Sequence, residues 1–188
     1  MNLPNKLTVL RVCAIPFFVF FMQAEFMGYW GNLVAVLFFV LASITDALDG
    51  HIARKYNLVT NFGKFMDPLA DKLLVCSALI CLVGRIPAWM VVVIISRELI
   101  ISGFRIIAAD NGIVIAASIW GKIKTVFQMI MIIWLILDLN WIVEEYIIDL
   151  PIYDILGDIL IWISLILTVV SLVDYIYKNK DVLKENNK

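Results

Sequence analysis

Apolar residues run along this chain in long blocks separated by short polar connections. A bilayer core demands roughly 20 mainly apolar residues per helix. Six blocks approach that length: Leu7–Gln23, Leu33–Ala53, Pro68–Val83, Ala88–Ala109, Ala117–Leu139 and Ile155–Tyr177. Open strands leave backbone groups unpaired in lipid, so the blocks read as helices. The third is short, and the second and third carry polar residues at their facing ends. No internal repeat or low-complexity stretch interrupts the series. The pattern predicts an all-α integral membrane protein with six transmembrane helices. A single catalytic domain is expected over residues 1–178, followed by a polar Lys/Asn-rich tail at 179–188.

Composition sharpens this. Of 188 residues, 63% are hydrophobic and 16% charged, against about 45–50% and 25% in soluble domains. A soluble domain this small has too much surface for its volume to hide that excess. The formal charge of −1 also excludes a nucleic-acid binder driven by bulk positive charge. The three cysteines, Cys13, Cys76 and Cys81, lie in apolar runs without metal-type spacing. They read as buried small apolar residues rather than as a disulfide or zinc framework. Lys6 and Arg11 flank the first apolar run as in a signal peptide. No small-x-small cleavage site follows Phe21, so the segment reads as retained.

The basic residues set an orientation. Lys6 and Arg11 lie at the N-terminal end. Arg54, Lys55, Lys64 and Lys72 lie around the second connection, and Arg105, Lys122 and Lys124 flank the fourth. Lys178, Lys180, Lys184 and Lys188 form the tail. With six spans all of these fall on one side. Arg85 falls on the other, and Arg97 falls inside a span. The stretch from Asp138 to Asp158 holds six acids and no Lys or Arg. The positive-inside rule then places both termini in the cytoplasm. Trp30, Trp89, Trp141 and Tyr177 near span ends read as interface anchors.

The acids carry the chemistry. At about 100° per residue, Asp46, Asp49, Gly50 and Ala53 share one helix face. Gly63, Asp67 and Asp71, spaced by four, share another. Two antiparallel neighbours would aim four carboxylates at one another near the cytoplasmic interface. Four close carboxylates repel, and burying them unpaired is costly. Two divalent cations would neutralise them, and all-oxygen ligands suit Mg²⁺ or Mn²⁺ rather than zinc. Such a pair suits in-line displacement at phosphorus. Gly50, Ala53 and Gly63 leave room for a bulky ligand against the backbone. Plainer readings exist for single residues: Asp67 before Pro68 as a helix cap, Arg54 and Lys55 as topology signals, His51 as an interfacial residue. None accounts for all four acids together, because intramembrane ionisable residues are expensive. A divalent-cation transporter is the alternative class. Clustering of the acids toward one membrane face, not the midplane, disfavours it.

The spacing resembles the signature of the CDP-alcohol phosphatidyltransferases, Asp-x-x-Asp-Gly-x-x-Ala-Arg followed by Gly-x-x-x-Asp-x-x-x-Asp. Asp46, Asp49, Gly50, Ala53, Arg54, Gly63, Asp67 and Asp71 fill it, with eight residues between Arg54 and Gly63. Further stretches resemble the bacterial branch that uses glycerol 3-phosphate as acceptor: Pro4 to Arg11, Asn57 to Lys72, Ser96-Arg97-Glu98, Arg105 and Gly121 to Thr125. The last third matches only in being hydrophobic.

The resemblance implies transfer of a phosphatidyl group from CDP-diacylglycerol to glycerol 3-phosphate, with release of CMP. It implies that Asp46, Asp49, Asp67 and Asp71 bind the two cations and that Asp71 is also the general base. Gly50, Ala53, Arg54 and Gly63 would cradle the cytidine and diphosphate, with Asn5, Thr8 and Arg11 closing the cradle. Arg97, Arg105, Lys122 and Lys124 would receive the acceptor's phosphate. A structural Arg97–Glu98 pair looks unfavourable, because adjacent residues point apart on a helix. Inositol phosphate and phosphatidylglycerol are the alternative acceptors. The resemblance also implies a homodimer in the cell membrane with its active site facing the cytoplasm.

Overall fold

The computed structural model describes residues 2–55, 60–110, 115, 118–138 and 152–180. Among these residues the fold is all-helical, with six α-helices: α1 (Leu3–Gln23), α2 (Tyr29–Lys55), α3 (Asn61–Cys81), α4 (Ala88–Asp110), α5 (Ile119–Leu137) and α6 (Ile152–Asn179). Each overlaps one expected block. The second connection at 56–59, most of the acidic stretch between Asp138 and Ile152, including Trp141, and the tail from 181 onward lie outside the described residues.

Four helices are long and apolar enough to cross a bilayer: α1, α2 through Asp46, α5 and α6. The other two are interrupted by charge, α3 by Asp67, Asp71 and Lys72, and α4 by Arg97, Glu98 and Arg105. Large apolar side chains point outward on every helix, among them Phe17, Leu41, Leu69, Val92, Ile130 and Ile166. Soluble proteins rarely expose apolar surface on that scale, and the chain is a membrane protein. Cys13 is also exposed, and no disulfide joins the cysteines. Burial of Cys13 was expected from its apolar neighbours. Leu10, Pro16 and Phe17, on the same helix face, are exposed with it, where lipid rather than protein is the apolar medium.

The chain divides into two compact units, Met1–Val83 with Leu135–Asp138, and Gly84–Trp134 with Leu139–Lys188. The first is built on α1, α2 and α3. Asn2 caps α1 by accepting the Asn5 N–H at 3.2 Å, with Pro4 in the first turn where its missing donor costs nothing. A one-turn 3-10 helix, Glu25–Met27, leads into the reversal at Gly28, whose φ of +50° suits glycine. A Cβ on Gly31 would stand 2.9 Å from the Phe21 carbonyl oxygen. The hairpin closes that tightly only because position 31 has no side chain. α1 and α2 then run antiparallel, with Phe17 stacked on Phe38 at 6.2 Å and Phe18 tilted against Phe39 at 5.9 Å. Buried alanines, Ala35 and Ala42 on α2 and Ala70 and Ala78 on α3, let backbones approach where lipid offers no hydrophobic drive.

α3 departs from expectation at its start. It begins at Asn61, not near Pro68, and Thr60 is its cap, accepting the Gly63 N–H at 3.0 Å. Asp67 is therefore not a helix cap, and Pro68 sits inside the helix. The cap was hidden because Thr60, Asn61, Gly63 and Lys64 read as a loop. The consequence is that Gly63, Asp67 and Asp71 all ride on one continuous helix, running parallel to α1.

The second unit is built on α4, α5 and α6. α4 and α6 run parallel, joined by Trp89 against Trp162, Arg97 to Ser171 and Phe104 against Tyr175. α5 runs antiparallel to α6: Trp134 stacks on Tyr153 at 4.7 Å, and the Tyr153 hydroxyl donates to the Trp134 carbonyl.

Candidate active site

In the first unit, α1 collects the acids. Thr8 and Arg11 are three residues apart and so lie on one face of α1. Both are sealed from solvent, at 0% and 1% exposure. The Thr8 hydroxyl lies 2.6 Å from Asp67 Oδ1 on α3, a better donor distance than its 3.1 Å to the Pro4 carbonyl. Arg11 Nη1 donates to Asp46 Oδ1 on α2 at 2.5 Å. Two carboxylates from different helices are thereby fastened to adjacent turns of a third. Nearer the start of α1, Asn5 Oδ1 accepts from the Thr60 hydroxyl at 3.0 Å. Thr60 is the residue that caps α3, so α1 also fixes where α3 begins.

Gly63 lies inside this junction. A Cβ there would stand 3.2 Å from Asn5 Oδ1 and 3.4 Å from Asp67 Oδ2. Any side chain would press on the two groups that hold the helices in register. Asp71 lies one turn beyond Asp67 on α3 and is exposed. Asp49, Gly50, Ala53 and Arg54 lie on the last turns of α2, but their side chains lie outside the described set. Of the expected ligands and cradle residues, the structure thus joins Asn5, Thr8, Arg11, Asp46, Gly63 and Asp67.

The donor set suits a hard divalent cation. Asp46 keeps 40% of its side chain exposed although its partner Arg11 is sealed, so the carboxylate retains lone pairs on its open side. All the candidate ligands are carboxylate oxygens, the chemistry of Mg²⁺ and Mn²⁺ sites. Among the described residues no three metal-binding side chains converge on one point; the Asp49 side chain lies outside that set.

The second unit holds the expected cations in two different settings. Arg97 and Lys124 are buried, at 7% and 2% exposure. Both donate to Glu98 Oε1, Arg97 from Nη1 at 3.0 Å and Lys124 from Nζ. Pairing of Arg97 with its neighbour Glu98 runs against the expectation that adjacent residues point apart. The rule concerns Cβ directions, and two long side chains can curve back toward a common point. Arg105 and Lys122 are exposed and do not share that burial. Sequence reasoning gave no role to Thr60, Glu98 or Ser171. Thr60 is a residue type favoured at helix starts, but Gly63 at the third position gives no reciprocal capping signal. Glu98 was readable as an acid inside an apolar block beside a candidate cation. Ser171, in an apolar helix, carries no signal at all.

Comparison with known proteins bears on this arrangement. A family model described as CDP-alcohol phosphatidyltransferase matches residues 1–170. A protein of Bacillus subtilis (strain 168), named CDP-diacylglycerol–glycerol-3-phosphate 3-phosphatidyltransferase, is 46% identical over 200 aligned positions, covering 99% of each chain. Proteins of the same name from Rickettsia bellii and Haemophilus influenzae are 40% and 38% identical. Those alignments cover 90% and 98% of this chain and 91% and 97% of the relatives.

Proposed function

The chain belongs to the CDP-alcohol phosphatidyltransferase family, and from that premise we propose that it moves the phosphatidyl group of CDP-diacylglycerol onto sn-glycerol 3-phosphate. The products are phosphatidylglycerophosphate and CMP, a step of phospholipid biosynthesis. One observation carries the reading: Asp46 and Asp67 from two helices meet donors on a single face of α1, in a chain whose full-length relatives bear the name of that reaction.

Asp46, Asp49, Asp67 and Asp71 hold two divalent cations, Mg²⁺ or Mn²⁺. When bound, these offset the charge of the diphosphate and of departing CMP. Thr8 and Arg11 keep Asp67 and Asp46 in place while the ligand enters. Gly63, with Gly50, Ala53 and Arg54, forms the cradle for cytidine and diphosphate, and Asn5, Thr8 and Arg11 close it. Asp71, open to solvent, accepts the proton from the attacking hydroxyl of the acceptor. The new bond joins that oxygen to the phosphatidyl phosphorus, and the bond to the CMP oxygen breaks. Arg97, Arg105, Lys122 and Lys124 receive the acceptor's phosphate by charge-assisted hydrogen bonds.

The six helices span the cell membrane with both termini in the cytoplasm, so that a lipid-anchored nucleotide meets a water-soluble acceptor at that face. The working form is a homodimer, and residues 1–178 act as one catalytic domain. The test is an acceptor screen on purified protein with CDP-diacylglycerol and Mn²⁺ or Mg²⁺. CMP and phosphatidylglycerophosphate are expected with glycerol 3-phosphate. Equal CMP release with inositol phosphate would overturn the acceptor assignment.

A further inference from the structure

A guanidinium is a rigid plane with five N–H donors. A buried one points where its partners hold it, and Arg97 is held at two places. Nη1 donates to Glu98 Oε1 at 3.0 Å, and Nε donates to Ser171 Oγ at 3.2 Å. Ser171 lies on α6 and is fully buried. Its own proton goes to the Thr168 carbonyl at 3.0 Å, and the Thr168 hydroxyl donates in turn to the Ser164 carbonyl at 2.7 Å. The Ser171 proton is thus committed along α6, and its lone pair is turned toward Arg97. A hydroxyl anchored this way is an acceptor of fixed direction.

Two fixed points on a planar group set the direction of its third edge. That edge is Nη2, which faces the first turns of α5. A Cβ on Gly121 would stand 3.5 Å from Nη2, at ordinary contact distance, so this edge lies beside the start of α5. Glu98 alone does not fix the plane, because its Oε1 also receives Lys124 and the guanidinium can pivot about one contact. The Nε bond from α6 removes that freedom.

We infer that Ser171 is a positioning residue for acceptor recognition: it orients the Arg97 guanidinium, with Glu98 as the second fixed point. This rests on the assignment of Arg97 to the acceptor's phosphate. It gives a role to the last third of the chain, where no motif lies. Geometry of this kind acts on binding of one substrate. Loss of the Nε acceptor lets the plane tilt and blunts the bidentate contact that a phosphate monoester offers to an arginine.

The test uses the full-length protein in detergent micelles, varying each substrate at saturation of the other. Ser171→Ala keeps a small helix-forming residue at the site. It is expected to raise KM for glycerol 3-phosphate about five- to tenfold, with kcat and KM for CDP-diacylglycerol unchanged. Arg97→Lys keeps the charge but has no Nε to orient, and is expected to raise the same KM further. The double variant should be no worse than Arg97→Lys, since Ser171 then has nothing left to orient. An unchanged KM in Ser171→Ala, equal losses for both substrates, or additive losses in the double variant would each overturn the positioning role while leaving Arg97 in place. An unchanged KM in Arg97→Lys would instead remove Arg97 from the acceptor site, and this inference with it.

Discussion

Among the described residues, each unit buries one arginine against an acid, and the two pairs are built in different ways. In the first unit the Arg11 side chain is fully sealed while its partner Asp46 is 40% exposed. In the second, Arg97 and Glu98 are both enclosed, at 8% and 12%. A half-open pair holds its carboxylate in place yet leaves oxygen lone pairs facing outward, which is what a cation ligand needs. An enclosed pair has no such face. There Glu98 Oε1 receives two cations, Arg97 and Lys124. The two pairs thus differ in what they leave open: the first exposes its carboxylate, and the second exposes neither end.

The largest effect is expected at the proposed base of the first unit's acids. Asp71→Asn keeps the shape of an exposed side chain and removes its basicity. Turnover, followed as CMP release, should fall by about 10²- to 10⁴-fold, with the helical circular dichroism spectrum unchanged. Activity near wild type would remove Asp71 as the base and leave the exposure of the first unit's acids without a catalytic purpose.

A middle-sized effect should come from the sealed side of the same site. Thr8→Val is close to isosteric and deletes the 2.6 Å bond to Asp67. If α1 preorganises the acids for a cation, the Mn²⁺ concentration giving half-maximal activity should rise about tenfold or more. Direct Mn²⁺ binding, read by electron paramagnetic resonance without substrate, should weaken in parallel. Unchanged Mn²⁺ binding would mean that Thr8 serves the nucleotide rather than the metal ligands, and the contrast between open and sealed ends would lose its meaning there.

Much of this was legible from spacing. The blocks Leu33–Ala53 and Ala88–Ala109 became α2 and α4 with their ends moved by only a few residues, because a long apolar run has one good solution in lipid. The motif acids Asp46 and Asp67 were legible because a periodicity of three and four residues places groups on a face before any tertiary structure is known. Less legible were features that depend on reach. The start of α3 at Asn61 turned on one hydroxyl, that of Thr60, meeting one N–H. The Arg97–Glu98 contact depended on arm length, which Cβ directions omit. The bond from Ser171 to Arg97 joins residues 74 apart in the chain, and a lone serine in an apolar helix looks the same whether or not it meets an arginine.

The smallest effect is expected at Lys122, where it separates two lysines that the sequence treats alike. Residues two apart on a helix point about 200° away from each other. Lys124 turns inward to Glu98, and Lys122 is exposed. Lys124 therefore meets a ligand from a fixed, enclosed position, whereas Lys122 can follow one in solvent. An exposed charge contact is weak, so Lys122→Ala should raise KM for glycerol 3-phosphate only about two- to fivefold, with kcat unchanged. Salt provides the decisive control. Added salt screens an exposed contact far more than a buried one, so the wild-type KM should climb toward that of the variant as ionic strength rises, while the variant's moves less. A KM that is unchanged in the variant returns Lys122 to a topology signal. A gap between the two proteins that salt does not close would mean that Lys122 is enclosed when the acceptor binds, and that the second unit seals its cations as thoroughly as the first seals Arg11.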